Sequence, residues 1–304
     1  MVKAARIPVA ARSRFATSFA NATVTLLVET SRAYGRELLR GVVRYAQLHG
    51  PWCFQVSPGD FEQMPPESQR WGGDGIIARV ESREMADAVL SARLPTVLIG
   101  VDPCIVDRVP RLAEFSHVSS DSEGAARLAA AHLLGRGFEQ FAFVGIRGRH
   151  WSDRRGDAFR AAIRTAGCTA HVYHPPRAAR PIGWEREQTR LANWIARLPK
   201  PVGIMACNDD RGRGVLEACR LAGARVPDDV AVIGVDDDQL LCELADPPLS
   251  SVALNAEQGG YRTAHLLDQL MRRRIDTPQH LIVEPSHVVT RRSTDVKKRW
   301  MCVQ

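Results

Sequence analysis

Residues 201–238 read PVGIMACNDDRGRGVLEACRLAGARVPDDVAVIGVDDD, and their pattern decides the fold class. The apolar run Val202–Ala206 stops at Asn208, Asp209 and Asp210. Val215, Leu216, Cys219 and Leu221 then recur at helical spacing, which gives one buried face. Gly223 closes that helix and Pro227 blocks its continuation. A second apolar run, Val230–Val235, ends in Asp236, Asp237 and Asp238. The stretch is strand–helix–strand, with acidic and amide side chains where each strand stops. In open parallel α/β sheets the loops after the strand ends line the ligand crevice.

The same alternation extends in both directions. On the N-terminal side, strands are expected at Val24–Val28, Trp52–Val56, Gly75–Val80 and Thr96–Val101, with helices at Tyr34–His49 and Glu84–Ala92. Gly50-Pro51 stops the first helix, and a loop rich in Pro and Gln leads to Gly72-Gly73. The pattern restarts at Val118-Ser119, followed by helix Glu123–Leu134, strand Phe141–Gly145, helix Arg155–Ala166, a variable loop and helix Gln188–Arg197. After the quoted stretch come an extended Leu249–Leu254, a helix over Gln258–Arg273, and strands at Leu281–Glu284 and His287–Thr290. This predicts an α/β protein of two doubly wound parallel-sheet lobes joined by hinge crossovers near Ser119, Ala253 and His280. The expected limits are a flexible basic arm over 1–21, an N-terminal lobe of 22–119 plus 253–280, and a C-terminal lobe of 120–252 plus 281–295. Residues 296–304 remain as a tail or truncated linker.

Composition narrows the function classes. The chain has 304 residues, 45% apolar and 25% charged, enough for two buried cores. No apolar run approaches the roughly 18–20 residues that span a bilayer, and Arg12 and Arg14 interrupt the start before a signal segment forms. A cytoplasmic protein with no membrane partner is expected. Seven cysteines, an odd number without CxxC spacing, argue against a disulfide framework or a zinc site. The net charge of +7 gathers at the two ends, as in Arg12, Arg14, Lys297, Lys298 and Arg299. Basic tails on a solvated surface explain it better than a nucleic-acid stripe.

Among the candidate ligand residues, Asp236 stands first. A carboxylate at a strand end accepts hydrogen bonds from two adjacent hydroxyls of a polyol. Asn208 offers donor and acceptor together after the preceding strand, and Asp209 reads as the cap of the following helix. Arg154 and Arg155 open a helix after a loop holding Trp151; a guanidinium fork bridges vicinal hydroxyls and an indole covers the apolar face of a sugar ring. Tyr34, Arg36 and Arg79 are the matching candidates after the first and third strands. Val28–Ala33 lacks the glycines of a dinucleotide site, and no H-E-x-x-H, G-x-S-x-G or Walker loop occurs. No cofactor or metal is expected on the sugar reading. One enzymatic alternative stays open: Asp236 and Asp238 form a D-x-D pair that could hold magnesium for a phosphatase-like reaction. A sugar transport receptor is a further alternative.

A resemblance adds to these readings. Phe141–Gly145, Arg155-Gly156-Asp157-Ala158-Phe159, Ala206–Asp209, Val226–Asp237, Pro247–Val252 and Arg291–Thr294 resemble, in order and spacing, the sugar-sensing domain of LacI/GalR-type repressors. Tyr34–Val42, Gly73–Ala78, Leu191–Trp194 and Arg291–Asp295 are similar to the xylose-operon regulators of the XylR type, which join such a sensor to a C-terminal AraC-type DNA-binding domain. The resemblance covers about residues 22–295. It implies a periplasmic-binding-protein-like fold of type I, a pentose such as xylose in the cleft, and a homodimer acting in transcription regulation. It also implies sugar contacts from Arg155, Asn208 and Asp236, with Trp151 beside the cleft and a counterpart for Trp184. The AraC-type half would begin after Asp295, whereas the chain ends at Gln304; operator DNA is expected only through a domain outside this chain.

Overall fold

The computed structural model describes residues 22–56, 73–173 and 183–296. The expected basic arm over 1–21, residues 57–72 and 174–182, where loops are expected, and residues 297–304 lie outside the described residues. The first sheet is built from β1 (Ala22–Leu27), β2 (Trp52–Val56), β3 (Gly75–Ala78), β4 (Thr96–Ile99) and β5 (Ser116–Ser120). The second holds β6 (Gln140–Val144), β7 (Ala170–Tyr173), β8 (Val202–Ala206), β9 (Val230–Asp236) and β10 (Ser250–Leu254). The late strand β11 (His280–Val283) joins the first sheet and β12 (Pro285–Val289) the second. The sheets have matching orders, β11-β5-β4-β3-β1-β2 and β12-β10-β9-β8-β6-β7. All pairings are parallel except β10 with β12. Each order reverses beside its first strand, at β1/β3 and β6/β8, which are the crevice-forming points of such sheets.

The helices are α1 (Ala33–His49), α2 (Arg83–Ala92), α3 (Pro103–Arg108), α4 (Ser122–Leu134), α5 (His150–Thr165), α6 (Trp184–Ala196), α7 (Asp209–Leu221), α8 (Gln239–Leu244) and α9 (Ala256–Met271). Strands such as β3 and β8 are apolar and buried at every position because helices cover both sheet faces. Short α3, β7 and α8 carry too few periodic residues to stand out in the sequence. Helices α1 and α9 approach so closely that glycine is the side chain that fits. A Cβ on Gly41 would lie 1.9 Å from the Glu257 carbonyl oxygen, and one on Gly260 1.8 Å from that of Leu38.

The chain crosses between lobes at Asp121, Asn255 and Glu284, between consecutive elements of opposite sheets. The expected lobe limits are corrected at three points: Leu281–Val283 and Ser120 belong with the first sheet, where β11 pairs in parallel with β5, and Ala253-Leu254 belong with the second, as the end of β10. The crossings are bonded to one another. Asp121 N donates to Val283 O at 2.9 Å, and Asn255 Nδ2 to Glu284 O at 2.8 Å.

The closing segment packs back on the second lobe. Ser293 Oγ donates to Val232 O at 2.6 Å, and Thr294 Oγ1 meets Ser250 Oγ at 2.7 Å and His132 Nε2 at 2.8 Å. Burial, and then the Arg136 guanidinium, push His132 down to about 4. A folded-state value below the unfolded one gives stability above about pH 6.5 that is lost as pH falls towards 4. Thermal unfolding followed from pH 7 to 4 should show this decline, and His132→Gln should remove part of it.

Candidate functional site

The C-terminal wall of the crevice is built from the ends of β6, β8 and β9. Helix α5 starts at His150, earlier than the sequence reading placed it, so Trp151 and Arg155 sit one turn apart on a helix instead of in loop and helix. The Arg155 guanidinium lies 5.1 Å from the centroid of the Trp151 ring. Only 5% exposed, Arg155 donates Nη1 to Cys207 O at 2.5 Å and Nη2 to Asp236 Oδ1 at 3.4 Å. It therefore ties the three strand ends together. The Asp236 side chain keeps 19% exposure and faces the crevice beside this pair.

Asn208, not Asp209, caps α7: its Oδ1 accepts from Arg211 N at 3.0 Å, leaving Nδ2 directed to Asp210 Oδ2 at 3.4 Å. Asp209 turns inward instead and is 1% exposed. It accepts from Ser251 Oγ at 2.6 Å and from Asp238 N at 2.7 Å. Burial, then the charge of Asp236, push Asp209 well above the ordinary carboxylate range. Burial raises Asp236 too, but Arg155, Arg32 and Arg79 pull it back. Both carboxyls are therefore shifted upward by burial, Asp209 further, while the surrounding guanidinium groups favour the charged form of Asp236.

The N-terminal wall comes from the ends of β1 and β3. Tyr34 Oη and Ser120 Oγ are 2.9 Å apart, and the Arg79 guanidinium lies 6.0 Å from the Tyr34 ring centroid. Arg36 is turned to its own loop, donating to Thr30 O at 3.0 Å and Ser31 O at 2.7 Å. Charged pairs cross between the walls: Arg32 with Asp210 at 3.2 Å, and Arg149 with Glu81 at 2.7 Å. Asp238 also crosses, accepting from Ala33 N at 3.3 Å with Arg36 at 3.8 Å, and it caps α8 through Leu241 N. The D-x-D pair is thereby divided, Asp236 facing Arg155 and Asp238 facing α1. Among the described residues no group of three or more His, Cys, Asp or Glu could hold a metal ion.

Two buried guanidinium nitrogens beside these walls make no hydrogen bond of good geometry. They are Nε of Arg155 and Nε of Arg79, one from each wall; Glu81 lies 3.0 Å from the latter but off its N–H axis. Such groups each cost about 1–3 kcal/mol unless an acceptor reaches them. A hollow of about 370 Å³ lies elsewhere, lined by Arg147, Asp153, Asp157, Arg160 and Tyr173 among others, and none of the predicted site residues borders it. The structure thus brings Arg155, Trp151, Asn208 and Asp236 together, with Tyr34 and Arg79 opposite. Arg36 shapes a loop, and Trp184 is 65% exposed at the start of α6. Sequence reading missed Arg32, Glu81, Arg149 and Asp210, because charges in loops read as solvated, and missed Asp209 as a buried anchor.

With this geometry in view, two family models match: the periplasmic binding protein-like domain over residues 130–294 and the XylR N-terminal domain over 23–120. The xylose operon regulatory protein of Escherichia coli (strain K12) is 32% identical over 278 residues, covering 90% of this chain and 70% of that protein. The chain belongs to the XylR family. Its members include the xylose operon regulatory protein of Haemophilus influenzae, 27% identical over 277 residues with 90% and 70% coverage. A solved structure described as the xylose-binding transcription activator XylR matches with a TM-score of 0.78 at 32% identity, covering 91% of this chain and 70% of that one. The family's two-lobed, periplasmic-binding-protein-like fold is therefore that of this chain. No helix among the described residues is long and apolar enough to cross a membrane.

Proposed function

We propose that the chain is the ligand-sensing part of a transcription regulator and binds a pentose, xylose first among candidates, in the crevice between its lobes. The observation that carries this reading is the Arg155–Asp236 pair at 3.4 Å at the strand ends, its carboxylate still 19% exposed and the Trp151 ring beside the guanidinium. A polyol supplies both kinds of partner: its oxygens accept from Arg155 and Arg79, and two of its hydroxyls donate to Asp236. Asn208 Nδ2 adds a further donor, and the Trp151 ring a flat apolar surface. Relatives whose names and titles describe xylose-operon regulation and xylose binding support the pentose.

A ligand touching both walls favours the closed arrangement by its extra contacts there and shifts the open–closed balance by that amount. Closure is the signal, which operator DNA receives through a DNA-binding domain outside these 304 residues. The site binds and releases its ligand without transforming it, and the protein works in the cytoplasm. Exposed Leu240 and Leu244, one turn apart on α8 and 63% and 64% exposed, favour a homodimer.

Calorimetric titration with xylose, arabinose, ribose and glucose tests the reading. Saturable heat with at least one pentose, weaker with glucose, is the expected result. No heat with any of the four would remove it.

A further inference from the structure

The turn that presents Asp236 is held from an unexpected place. Asp236 and Asp237 both have positive φ, 111° and 53°, a conformation that residues other than glycine keep only where their surroundings impose it. Two restraints are local to the crevice: Asp237 N donates to Ser251 Oγ at 3.1 Å, and Asp238 N to Asp209 Oδ2. The third comes from the far end of the chain. Arg291, just past β12, donates Nη1 to Asp237 Oδ1 at 2.8 Å and to Leu249 O at 3.1 Å.

This ion pair is mostly shielded, its side chains 15% and 23% exposed, so water competes weakly with it. Arg291 itself is fixed. Its backbone N–H donates to Ser250 Oγ at 2.8 Å, the hydroxyl that also meets Thr294. A continuous set of hydrogen bonds therefore runs from the Asp236 turn, through Asp237 and Arg291, to Ser250 and Thr294. A shift of the turn is transmitted to the closing segment because each intermediate is held on both sides.

We propose that Arg291 is a positioning residue for the crevice: through Asp237 it fixes the turn that aims Asp236, and it ties occupancy of the crevice to the packing of residues 291–295. The inference rests on the sugar reading above. Since coupling between sites is reciprocal, whatever loosens residues 291–295 also weakens the ligand.

The test uses the full chain, Arg291→Lys, Asp237→Asn and the double variant. Xylose affinity is measured by calorimetry, amide exchange at Ser293 and Thr294 with and without xylose, and thermal unfolding without sugar. Each single variant should bind xylose about tenfold more weakly, within the usual range of such couplings. The double variant should be no weaker than the singles, as one shared pair requires. Xylose should slow exchange at Ser293 and Thr294 in the unmodified chain and not in the variants. Unchanged xylose affinity in Arg291→Lys, additive losses, or lower thermal stability with affinity intact would overturn the inference and leave the sugar reading standing. No binding of xylose, arabinose, ribose or glucose by the unmodified chain would remove both.

Discussion

Asp236→Ala should weaken pentose binding by about 2–5 kcal/mol, the usual cost of truncating one partner in a buried, hydrogen-bonded charged contact. In a titration this is about a thirtyfold to several-thousandfold rise in Kd. The carboxylate sits where both walls converge, with Arg155 at 3.4 Å and the Arg32 and Arg79 charges acting on it from the opposite lobe. Asp236→Asn separates charge from shape, retaining one acceptor oxygen while losing the ability to receive two hydroxyls equally. It should bind between the unmodified chain and Asp236→Ala. Because burial raises the Asp236 carboxyl above the ordinary range, affinity is full above that raised value and declines as acid protonates the group. Asp236→Asn should show no such decline. Equal affinities for all three proteins would contradict the role assigned to this residue.

The second large effect concerns the frame that carries the N-terminal wall. Gly260→Ala should destabilise the chain by about 3 kcal/mol, the upper part of the usual overpacking cost. The sign is informative, because glycine to alanine within a helix ordinarily stabilises by about 0.5–1 kcal/mol. Here the new Cβ would fall 1.8 Å from the Leu38 carbonyl oxygen, which belongs to the backbone of α1 and has no rotamer with which to move away. Gly41 meets Glu257 O at 1.9 Å from the other side, so the two helices would have to separate. Denaturant unfolding measures the loss. An increase in stability would show that α1 and α9 pack less closely than described.

How much of this was legible beforehand follows from what each residue does. The lobes were readable because strands covered on both faces are apolar throughout, as in Val202–Ala206 and Val230–Val235, and because Gly223 and Pro227 punctuate the helices between them. The place of Asp236 at a strand end and of Arg155 on the helix after β6 was readable, but the start of that helix at His150 and the contact between the two were not. The split of roles among Asn208, Asp209 and Asp238 was not. All three are short polar residues in loops, and only the course of the chain decides that Asn208 and Asp238 cap helices while Asp209 is buried under Ser251. The crossing pairs Arg32–Asp210 and Arg149–Glu81 join residues 178 and 68 positions apart, a separation that carries no periodic signal. The same holds for Leu281–Val283, whose lobe is set by edge pairing with β5 rather than by composition.

The central claim is that one ligand is gripped by both lobes at once. Hydrogen–deuterium exchange of the chain with and without xylose tests it most directly. The account predicts slowed exchange in the same titration at residues 31–36 and 78–81 of one lobe and at 147–155, 207–210 and 236–238 of the other. Protection confined to a single lobe, or none at saturating xylose, would contradict it.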